Sequence, residues 1–283
     1  MTAEQKKALQ LTAVSVREWI LISTCAAKAG HPGGSLSAAD MFTYLYFAEM
    51  NVDPKNPNWE DRDRFVLAKG HAAPGLYAAL ALRGFFPVED MRTLRHIDSY
   101  LQGHPNMNTV PGVDMSTGSL GQGLSAAAGM AKGAKLRGKD FRIYSLVGDG
   151  ELAEGQVWEA AMFAAHYKLD NLCAIVDING LQIDGRTCDV MNTEPVDEKF
   201  ESFGWEVCHI DGHDMEDMEK AFKKFHKNQG SGKPFVILMK TVKGKGVSFM
   251  EDVVDWHGKA PKEAECAQGL AELAQARKQI EEA

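Results

Sequence analysis

Hydrophobic positions follow two spacings along the chain, a helical repeat in some segments and short unbroken runs in others. Over residues 4–28 the apolar side chains recur at helical spacing and stop at Gly30, which predicts a first helix ending just before His31. A shorter amphipathic helix is predicted between Asp40 and Met50. The unbroken runs end at Gly, Pro or polar turns and predict strands at 64–68, 141–147, 172–176, 205–210 and 234–240.

Helical repeats separate most of these predicted strands. Segment 118–123 opens an alanine-rich helix that ends near Lys135, and further helices are expected from near Glu151 and over 214–228. The alternation predicts an α/β fold with a central, mostly parallel sheet flanked by helices. We expect one large domain over residues 1–258 and a C-terminal helical extension over 259–283, with its helix exposed.

Polar residues follow two of the predicted strands at the point where each strand ends. Gly148-Asp149-Gly150 comes directly after one strand, and Asn179 follows the next one, thirty positions beyond Asp149. The carboxyl ends of parallel strands meet at one edge of a sheet, so these side chains can converge although they are distant in sequence. A carboxylate, an amide oxygen and a backbone carbonyl from the following loop suit Mg²⁺ or Ca²⁺, and such a metal would anchor a diphosphate.

Gly150 adds to this prediction, because a glycine N–H at the start of a helix near Glu151 would approach a phosphate closely. Gly148-Asp149-Gly150 taken alone is more often an ordinary glycine-rich turn, and the segment around Asn179 is equally compatible with a solvated turn. The paired spacing of Asp149 and Asn179 favours the metal site over both turns.

Histidines beside Gly or Pro in predicted loops are the other candidates for chemistry: His31, His71, His104 and His257. Imidazole donates to hydroxyl or phosphate oxygens and relays protons near neutral pH. A single loop histidine is more often structural, and we expect no catalytic role for the remaining five, which are His96 on a predicted helix, His166, His209, His213 and His226. The turn 243–246 is either a solvated loop or part of an active-site rim.

Composition excludes several classes of protein. The net charge of −8 comes from 39 acidic and 31 basic residues, and the lysines form no stripe, which argues against nucleic-acid binding. No apolar run approaches the ~18 residues that cross a membrane, and no signal sequence is recognisable, so we expect a soluble, cytoplasmic protein without membrane contact. The five cysteines form no C-x-x-C pair, and we expect them to be reduced.

Several short motifs occur in a fixed order over roughly residues 5–260: segments 30–34, 69–72, 103–105, 118–123, 148–150 and 177–179. With them the chain resembles the N-terminal, diphosphate-binding part of transketolase, a family of thiamine-diphosphate-dependent enzymes. The resemblance implies the fold of that part. It also implies thiamine diphosphate as cofactor, held through Mg²⁺ or, in its place, Ca²⁺ or Mn²⁺.

The resemblance implies roles for residues around the diphosphate. The side chains of Asp149 and Asn179 and the carbonyl of Leu181 would hold the metal. His71 and the Gly150 amide would contact the diphosphate. These roles match the metal site that the strand ends predict.

Further roles concern the rings of the cofactor and the sugar. Ile183 would pack against the thiazolium ring, and the backbone of Gly118 and Leu120 would reach the aminopyrimidine. Three histidines would face the sugar substrate: His31, His104 and His257, of which His257 lies in a segment that departs from the family pattern. Glu154 and Glu159 would lie towards a subunit interface.

The resemblance finally implies a part that this chain does not supply. In the family, a second, pyrimidine-binding domain carries the glutamate that activates the cofactor and basic residues that grip the substrate phosphate. About forty residues follow the last predicted strand, too few for another α/β domain. We therefore expect a separate C-terminal transketolase subunit with a pyrimidine-binding domain, in an α2β2 assembly.

The resulting prediction is the N-terminal subunit of a split transketolase that transfers a two-carbon ketol unit from a ketose phosphate to an aldose phosphate. One alternative is a subunit of another thiamine-diphosphate-dependent transferase or synthase that acts on an unusual sugar. Another is a non-catalytic subunit that binds the cofactor without turnover. The loop histidines favour transketolase over the first alternative. The complete set of metal-binding and diphosphate-binding residues disfavours a non-catalytic subunit, because buried polar groups are costly to keep.

Overall fold

A five-stranded parallel sheet lies at the centre of the computed structural model, which describes residues 1–283. In chain order the strands are β1 (Arg64–Leu67), β2 (Ile143–Gly148), β3 (Leu172–Ile178), β4 (Leu181–Gln182), β5 (Gly185–Arg186), β6 (Glu206–Asp211) and β7 (Phe235–Lys240). The sheet has the order β1-β2-β3-β7-β6, and β4 and β5 form a separate antiparallel hairpin. Every neighbouring pair in the large sheet is parallel, which confirms the predicted fold class.

Helices cover both faces of this sheet. They are α1 (Ala3–Ala27), α2 (Pro32–Ser37), α3 (Ala39–Tyr44), α4 (Ala73–Arg83), α5 (Gln122–Leu136), α6 (Gly155–His166), α7 (Thr187–Val190), α8 (Val196–Ser202), α9 (Met215–Asn228) and α10 (Glu263–Glu282). On one face, residues of α1, α3, α4 and α9 share a hydrophobic cluster with Leu146 and Ile175. On the other face, α5, α6 and α8 pack with Val147 and Val176. Successive strand residues therefore serve opposite layers, as the pleat requires.

The carboxyl ends of the central strands bring the predicted site together. Gly148, the last residue of β2, pairs with Asp177 of β3, so the loops that carry Asp149 and Asn179 start side by side. β1 leads directly into Lys69 and His71, and β7 leads into the loop that carries Lys243. The predicted convergence at one sheet edge is thus confirmed.

The C-terminal segment forms the predicted helix, but one side of this helix is buried and not exposed. α10 packs along α1 and buries Cys266, Gly269 and Leu273. A Cβ on Gly269 would lie 2.8 Å from Leu21 Cδ1, so the two helices approach closely at this point. Leu270 and Ile280 also pack against the core from this helix.

Two smaller features complete the comparison with the sequence. His96 was expected on a helix, but it follows a 3₁₀ turn at Val88–Thr93 and lies exposed in irregular backbone. Three of the five cysteines (Cys173, Cys208 and Cys266) are buried, and all five are free thiols. None of the helices combines the length and the apolar character that crossing a membrane requires.

Candidate functional site

A cavity of about 270 Å³ opens at the carboxyl ends of β2 and β3. Its lining includes these residues predicted from the sequence: His31, His71, Gly118, Leu120, Asp149, Gly150, Asn179, Leu181, Ile183 and His257. His104 lines a neighbouring cleft of about 470 Å³, and Gly118 borders both spaces. The structure therefore groups all but one of the candidate residues in a single cavity, with His104 next to it.

Asp149 is a buried carboxylate whose oxygens face backbone donors. Its Oδ1 accepts the Gly150 N–H at 2.8 Å, and its Oδ2 accepts the Gly180 N–H at 2.6 Å. Burial, with the negative charge of Asp177 nearby, raises the pKa of Asp149 to about 6. A cation beside this group would favour the ionised form and reverse the effect of burial.

The amide of Asn179 has a fixed orientation. Its Nδ2 donates to Asp177 Oδ2 at 3.2 Å, and its Oδ1 accepts the Leu181 N–H at 3.1 Å. Because a carboxylate only accepts, Asp177 assigns the nitrogen to its own side and turns the oxygen towards the loop. Asn179 can therefore present an oxygen ligand without a change of rotamer.

Asp177 itself is a positioning residue that the sequence analysis did not single out. Its side chain is fully buried and accepts hydrogen bonds from Lys69 Nζ, from Thr241 Oγ1 and, at 2.6 Å, from Ser37 Oγ. Burial alone would raise the pKa of this carboxyl, but the charge of Lys69 and these hydrogen bonds lower it. The available signal was an acid and a lysine at the ends of separate apolar strands.

Lys243 places a positive charge beside the Leu181 carbonyl, one of the predicted metal ligands. Its ammonium group donates to the Leu181 carbonyl at 2.7 Å and to His257 Nδ1 at 3.0 Å. Burial and the charge of Lys69 lower its pKa to about 8, and Asp149 acts in the opposite direction. Of the two interpretations of turn 243–246, the active-site rim holds for Lys243, whereas Lys245 pairs with Glu251 at 3.4 Å outside the cavity.

The donors around this position fit a hard divalent cation. A carboxylate from Asp149, an amide oxygen from Asn179 and the Leu181 carbonyl are the ligand types that Mg²⁺ and Ca²⁺ take. No group of three or more His, Cys, Asp or Glu side chains is arranged to hold a metal ion, so any such site depends on these amide and carbonyl oxygens and on oxygens from a ligand. The Lys243 ammonium at the Leu181 carbonyl shows that a positive charge is accommodated there.

Three histidines form a close cluster in the lining of the cavity. The ring centroids of His31 and His71 are 5.2 Å apart, and His257 lies 5.5 Å from the first and 5.0 Å from the second. Burial and neighbouring positive groups lower the pKa of His31 to about 4, that of His257 to about 3 and that of His71 well below its usual value. All three rings are therefore neutral at pH 7.

Neutral rings each carry one donor and one acceptor. The Lys243 ammonium can only donate, so His257 Nδ1 accepts and the proton of His257 stands on Nε2. His31 Nδ1 is buried and has no hydrogen-bond partner. A buried nitrogen without a partner is costly, and it makes the ligand-binding role expected of His31 a proposal with a physical basis.

Tyr77 and Gly118 contact the loop that carries His104. Tyr77 Oη donates to the carbonyls of Gln102 and His104, each at 3.0 Å. Gly118 has a positive φ of 143°, and a Cβ there would lie 3.1 Å from the His104 ring. A side chain at residue 118 would therefore displace His104 from the rim of the cavity.

The backbone around Gly150 corrects one expectation. Gly150 opens a 3₁₀ turn (Gly150–Ala153), and α6 begins only at Gly155, because Glu154 is extended with ψ of 124°. The predicted helix start near Glu151 is therefore wrong, and the Gly150 N–H faces Asp149 Oδ1. Glu151, which was not singled out, joins two loops by accepting the N–H groups of Gly121 at 2.9 Å and Gly148 at 3.0 Å.

Apolar and acidic side chains remain on the surface around the cavity mouth. Leu120 is 40% exposed and Ile183 is 63% exposed, although both line the cavity. Glu154 and Glu159 are exposed as well, and Glu154 lies against Gly121. The contacts expected of these four residues, with the cofactor or with a second chain, stay predictions.

Comparisons with known proteins identify the family. Residues 10–279 match the family model of the transketolase, thiamine diphosphate binding domain. The chain is 45% identical to the 6-deoxy-6-sulfo-D-fructose transketolase subunit of Clostridium sp. (strain MSTE9), covering 96% of this chain and 98% of that one. It is 41% identical to an apulose-4-phosphate transketolase subunit of Phocaeicola vulgatus, with 98% of each chain covered.

A solved structure gives the same result. The crystal structure of transketolase from Campylobacter jejuni matches with a TM-score of 0.88 and 36% identity, over 95% of this chain and 45% of that chain. The sheet edge that carries the candidate site is thus part of a fold shared with a full transketolase. The chain belongs to the transketolase family, and it corresponds to the thiamine diphosphate-binding part of these enzymes.

Proposed function

We propose that this chain is the N-terminal subunit of a two-subunit transketolase, which transfers a two-carbon ketol unit from a ketose phosphate to an aldose phosphate. Two relatives that the chain covers almost entirely are named as transketolase subunits, whereas it spans 45% of the Campylobacter jejuni transketolase. The observation that carries the proposal is the convergence of Asp149, Asn179 and the Leu181 carbonyl in one cavity with the loop histidines.

The cofactor in this proposal is thiamine diphosphate, held through Mg²⁺, Ca²⁺ or Mn²⁺. When bound, it supplies the carbon nucleophile that ketol transfer needs. Asp149, Asn179 and the Leu181 carbonyl would hold the metal, and Asp177 keeps the Asn179 amide in the required orientation. His71 would donate to the diphosphate, beside the positive charges of Lys69 and Lys243. The Gly150 N–H, which donates to Asp149 Oδ1 in this structure, would turn from that oxygen to the diphosphate.

The remaining residues of the site act on the rings and on the sugar. The backbone of Gly118 and Leu120 would bind the aminopyrimidine, and Ile183 would cover the thiazolium. His31, His104 and His257 would hydrogen-bond the sugar hydroxyls as neutral imidazoles, since their lowered pKa values keep them uncharged. A neutral ring donates one proton and accepts another, which suits the positioning of a hydroxyl and the movement of its proton.

A separate C-terminal subunit with a pyrimidine-binding domain completes the site in this proposal. It would cover the exposed Leu120 and Ile183 at the cavity mouth and contact Glu154 and Glu159, within an α2β2 assembly. The naming of both relatives as subunits supports this division. In this proposal the cofactor-binding domain ends at residue 258, and the segment from residue 259 onward is an extension whose helix α10 packs on α1.

A second candidate function differs from the first in its sugar substrate. The two relatives are named for a sulfonated ketose and for apulose 4-phosphate, which favours a transketolase that acts on an unusual anionic sugar. Assays of the assembled subunits with a panel of ketose donors distinguish the two candidate functions. The panel includes xylulose 5-phosphate, 6-deoxy-6-sulfofructose and apulose 4-phosphate. The donor with the highest kcat/KM identifies the substrate, and turnover of none of them in an assembly that retains cofactor would favour a non-catalytic subunit.

A further inference from the structure

Gln182 lines the cavity directly after Leu181, whose carbonyl is one of the proposed metal ligands. Both residues form strand β4, where Leu181 pairs with Arg186 and Gln182 pairs with Gly185. Successive side chains of a strand point to opposite sides, and here the side chain of Leu181 is buried while that of Gln182 reaches Gly150. The hairpin thus brings a backbone carbonyl and a side-chain amide to the same cavity.

The Gln182 side chain occupies the space that a side chain at residue 150 would need. A Cβ on Gly150 would lie 3.1 Å from Gln182 Cβ and 3.3 Å from Gln182 Oε1. The absence of a side chain at Gly150 therefore lets the amide lie against the loop that carries Asp149. Asp149 is the one carboxylate among the proposed metal ligands, so the amide borders the proposed metal site.

The amide oxygen of Gln182 is buried and has no hydrogen-bond partner. Donors in this part of the cavity are engaged by other acceptors. The Gly150 N–H donates to Asp149 Oδ1 at 2.8 Å, and the Lys243 ammonium donates to the Leu181 carbonyl at 2.7 Å. Because a buried acceptor without a donor destabilises a folded chain, this oxygen is suited to a donor that a ligand brings.

The proposed cofactor and its metal offer one kind of donor at this position. The oxygens of a diphosphate accept hydrogen bonds and so cannot satisfy another acceptor. A divalent cation does bring donors, because Mg²⁺ usually keeps several of its waters when it binds protein and phosphate oxygens. An amide oxygen that accepts from such a water restrains the cation without binding it directly.

We propose that Gln182 is a positioning residue of the metal site, and that its amide oxygen accepts a hydrogen bond from a water on the divalent cation held by Asp149, Asn179 and the Leu181 carbonyl. The inference rests on the proposed function and adds a residue to its metal site. Partners of metal-bound groups orient those groups and contribute to metal affinity, although they do not touch the metal.

The first test measures the binding of thiamine diphosphate to the assembled subunits by calorimetry at a fixed Mg²⁺ concentration. Gln182→Met keeps the length of the side chain and removes the acceptor, and it is expected to raise Kd about tenfold. Gln275→Met is the matched control, because Gln275 lies exposed on α10, and it should leave Kd within about twofold. An unchanged Kd in Gln182→Met overturns the proposal.

Gln182→Glu tests the direction of the hydrogen bond. It keeps an acceptor oxygen at this position, so it should bind thiamine diphosphate more tightly than Gln182→Met does. A weaker affinity than that of Gln182→Met overturns the proposal, because the amide would then donate to a phosphate oxygen through its nitrogen.

Urea denaturation of the chain without cofactor separates this role from a purely structural one. Because Gln182 Oε1 has no partner within the chain, Gln182→Met is expected to leave the midpoint of unfolding unchanged or to raise it. A midpoint that falls together with cofactor affinity overturns the proposal, since Gln182 would then support the loop itself.

Water-proton relaxation with Mn²⁺ in place of Mg²⁺ counts the waters on the cation. Equal counts are expected for wild type and Gln182→Met, and an additional water in the variant overturns the proposal, because Gln182 would then be a direct ligand. These measurements need no ketol transfer. If Gln182→Met weakens cofactor binding but no ketose is turned over, the function fails and the role of Gln182 stands. Ketol transfer by wild type with an unchanged Kd in Gln182→Met supports the function and removes this role.

Discussion

Asp149 and Asp177 are both buried carboxylates beside the same cavity, yet their pKa values move in opposite directions. Burial raises the pKa of Asp149 to about 6, because only backbone N–H groups face it directly. Asp177 is deeper, but the Lys69 ammonium and two hydroxyl donors outweigh burial and lower its pKa. Asp177 is thus paired with the Lys69 ammonium, whereas Asp149 forms no ion pair within the chain.

Asp149→Asn is expected to weaken the metal-dependent binding of thiamine diphosphate by at least about 100-fold, because the only carboxylate among the proposed ligands is lost. Calorimetric titration with the cofactor at fixed Mg²⁺ measures the change. Asp184→Asn is the matched control, since Asp184 lies exposed in the turn after the proposed ligands. Equal affinities of Asp149→Asn and wild type would contradict the role of Asp149.

Asp177→Asn is expected to lower the free energy of unfolding by about 3–5 kcal/mol, because the buried Lys69 ammonium loses its counter-charge. Denaturation with urea measures this change. The double variant Lys69→Met/Asp177→Asn removes both charges and should recover at least half of the loss. A single variant within about 0.5 kcal/mol of wild type would show that the pair does not hold this part of the site.

At the scale of elements, close approaches between backbone segments fix where the loops of the site begin. Gly123, in the first turn of α5, lies so near β1 that a Cβ would be 2.5 Å from Ala68 Cα. The loop before it carries Gly118 and Leu120, and the strand leads to Lys69 and His71. α5 thereby sets the distance between the two sides of the cavity.

Gly123→Ala is expected to lower the free energy of unfolding by about 1–3 kcal/mol, because neither the helix nor the strand can yield to the new methyl group. Gly129→Ala on the same helix is the matched control, since nothing lies within 4 Å of its Cβ position. That change should stabilise the isolated chain by up to about 1 kcal/mol through helix propensity. Chemical denaturation of both variants measures the difference, and equal effects would contradict the close approach at Ala68.

A second link between elements carries a pH dependence. Asp40 of α3 accepts hydrogen bonds from Arg17 of α1 and, at 2.7 Å, from His213 before α9. Burial alone would raise its pKa, but the Arg17 charge and these hydrogen bonds lower it from 3.8 to about 2. Because the folded pKa is depressed, the stabilisation is complete above the unfolded pKa and is lost as the pH falls from about 4 towards 2.

This link contributes about 2 kcal/mol to the fall in the free energy of unfolding between pH 4 and pH 2. Asp40→Asn should be less stable at pH 7, because Arg17 loses its counter-charge, and its stability should fall less steeply over that acid window. Urea denaturation at a series of pH values measures both slopes. Parallel slopes for the variant and wild type would contradict the depressed pKa of Asp40.

Part of this arrangement of helices and strands can be predicted from the sequence, and part of it cannot. The strands were predictable because unbroken apolar runs end at Gly, Pro or polar turns. The meeting of the loops that carry Asp149 and Asn179 was predictable because each loop follows one of two neighbouring parallel strands. The burial of Gly269 on α10 was not predictable from hydrophobicity, because it depends on the close approach of Leu21 on α1. The pairing of Lys69 with Asp177, 108 positions apart, required the strand order.

For the whole molecule, the site lies at an edge that is only partly enclosed by this chain. Ile183 and Leu120 line the cavity, and their side chains are still 63% and 40% exposed. The relatives of matching length are named as subunits, and the Campylobacter jejuni transketolase extends well beyond the matched region. A partner that closes the mouth accounts for both facts.

A division of the active site between two chains is tested most directly by the transfer of a ketol unit from xylulose 5-phosphate to ribose 5-phosphate with thiamine diphosphate and Mg²⁺. The purified chain is compared with an equimolar mixture that includes a subunit carrying a pyrimidine-binding domain. We expect transfer only in the mixture, because in the proposed function this chain supplies only the diphosphate and sugar-hydroxyl side of the site. Equal transfer by the chain alone would contradict the divided active site.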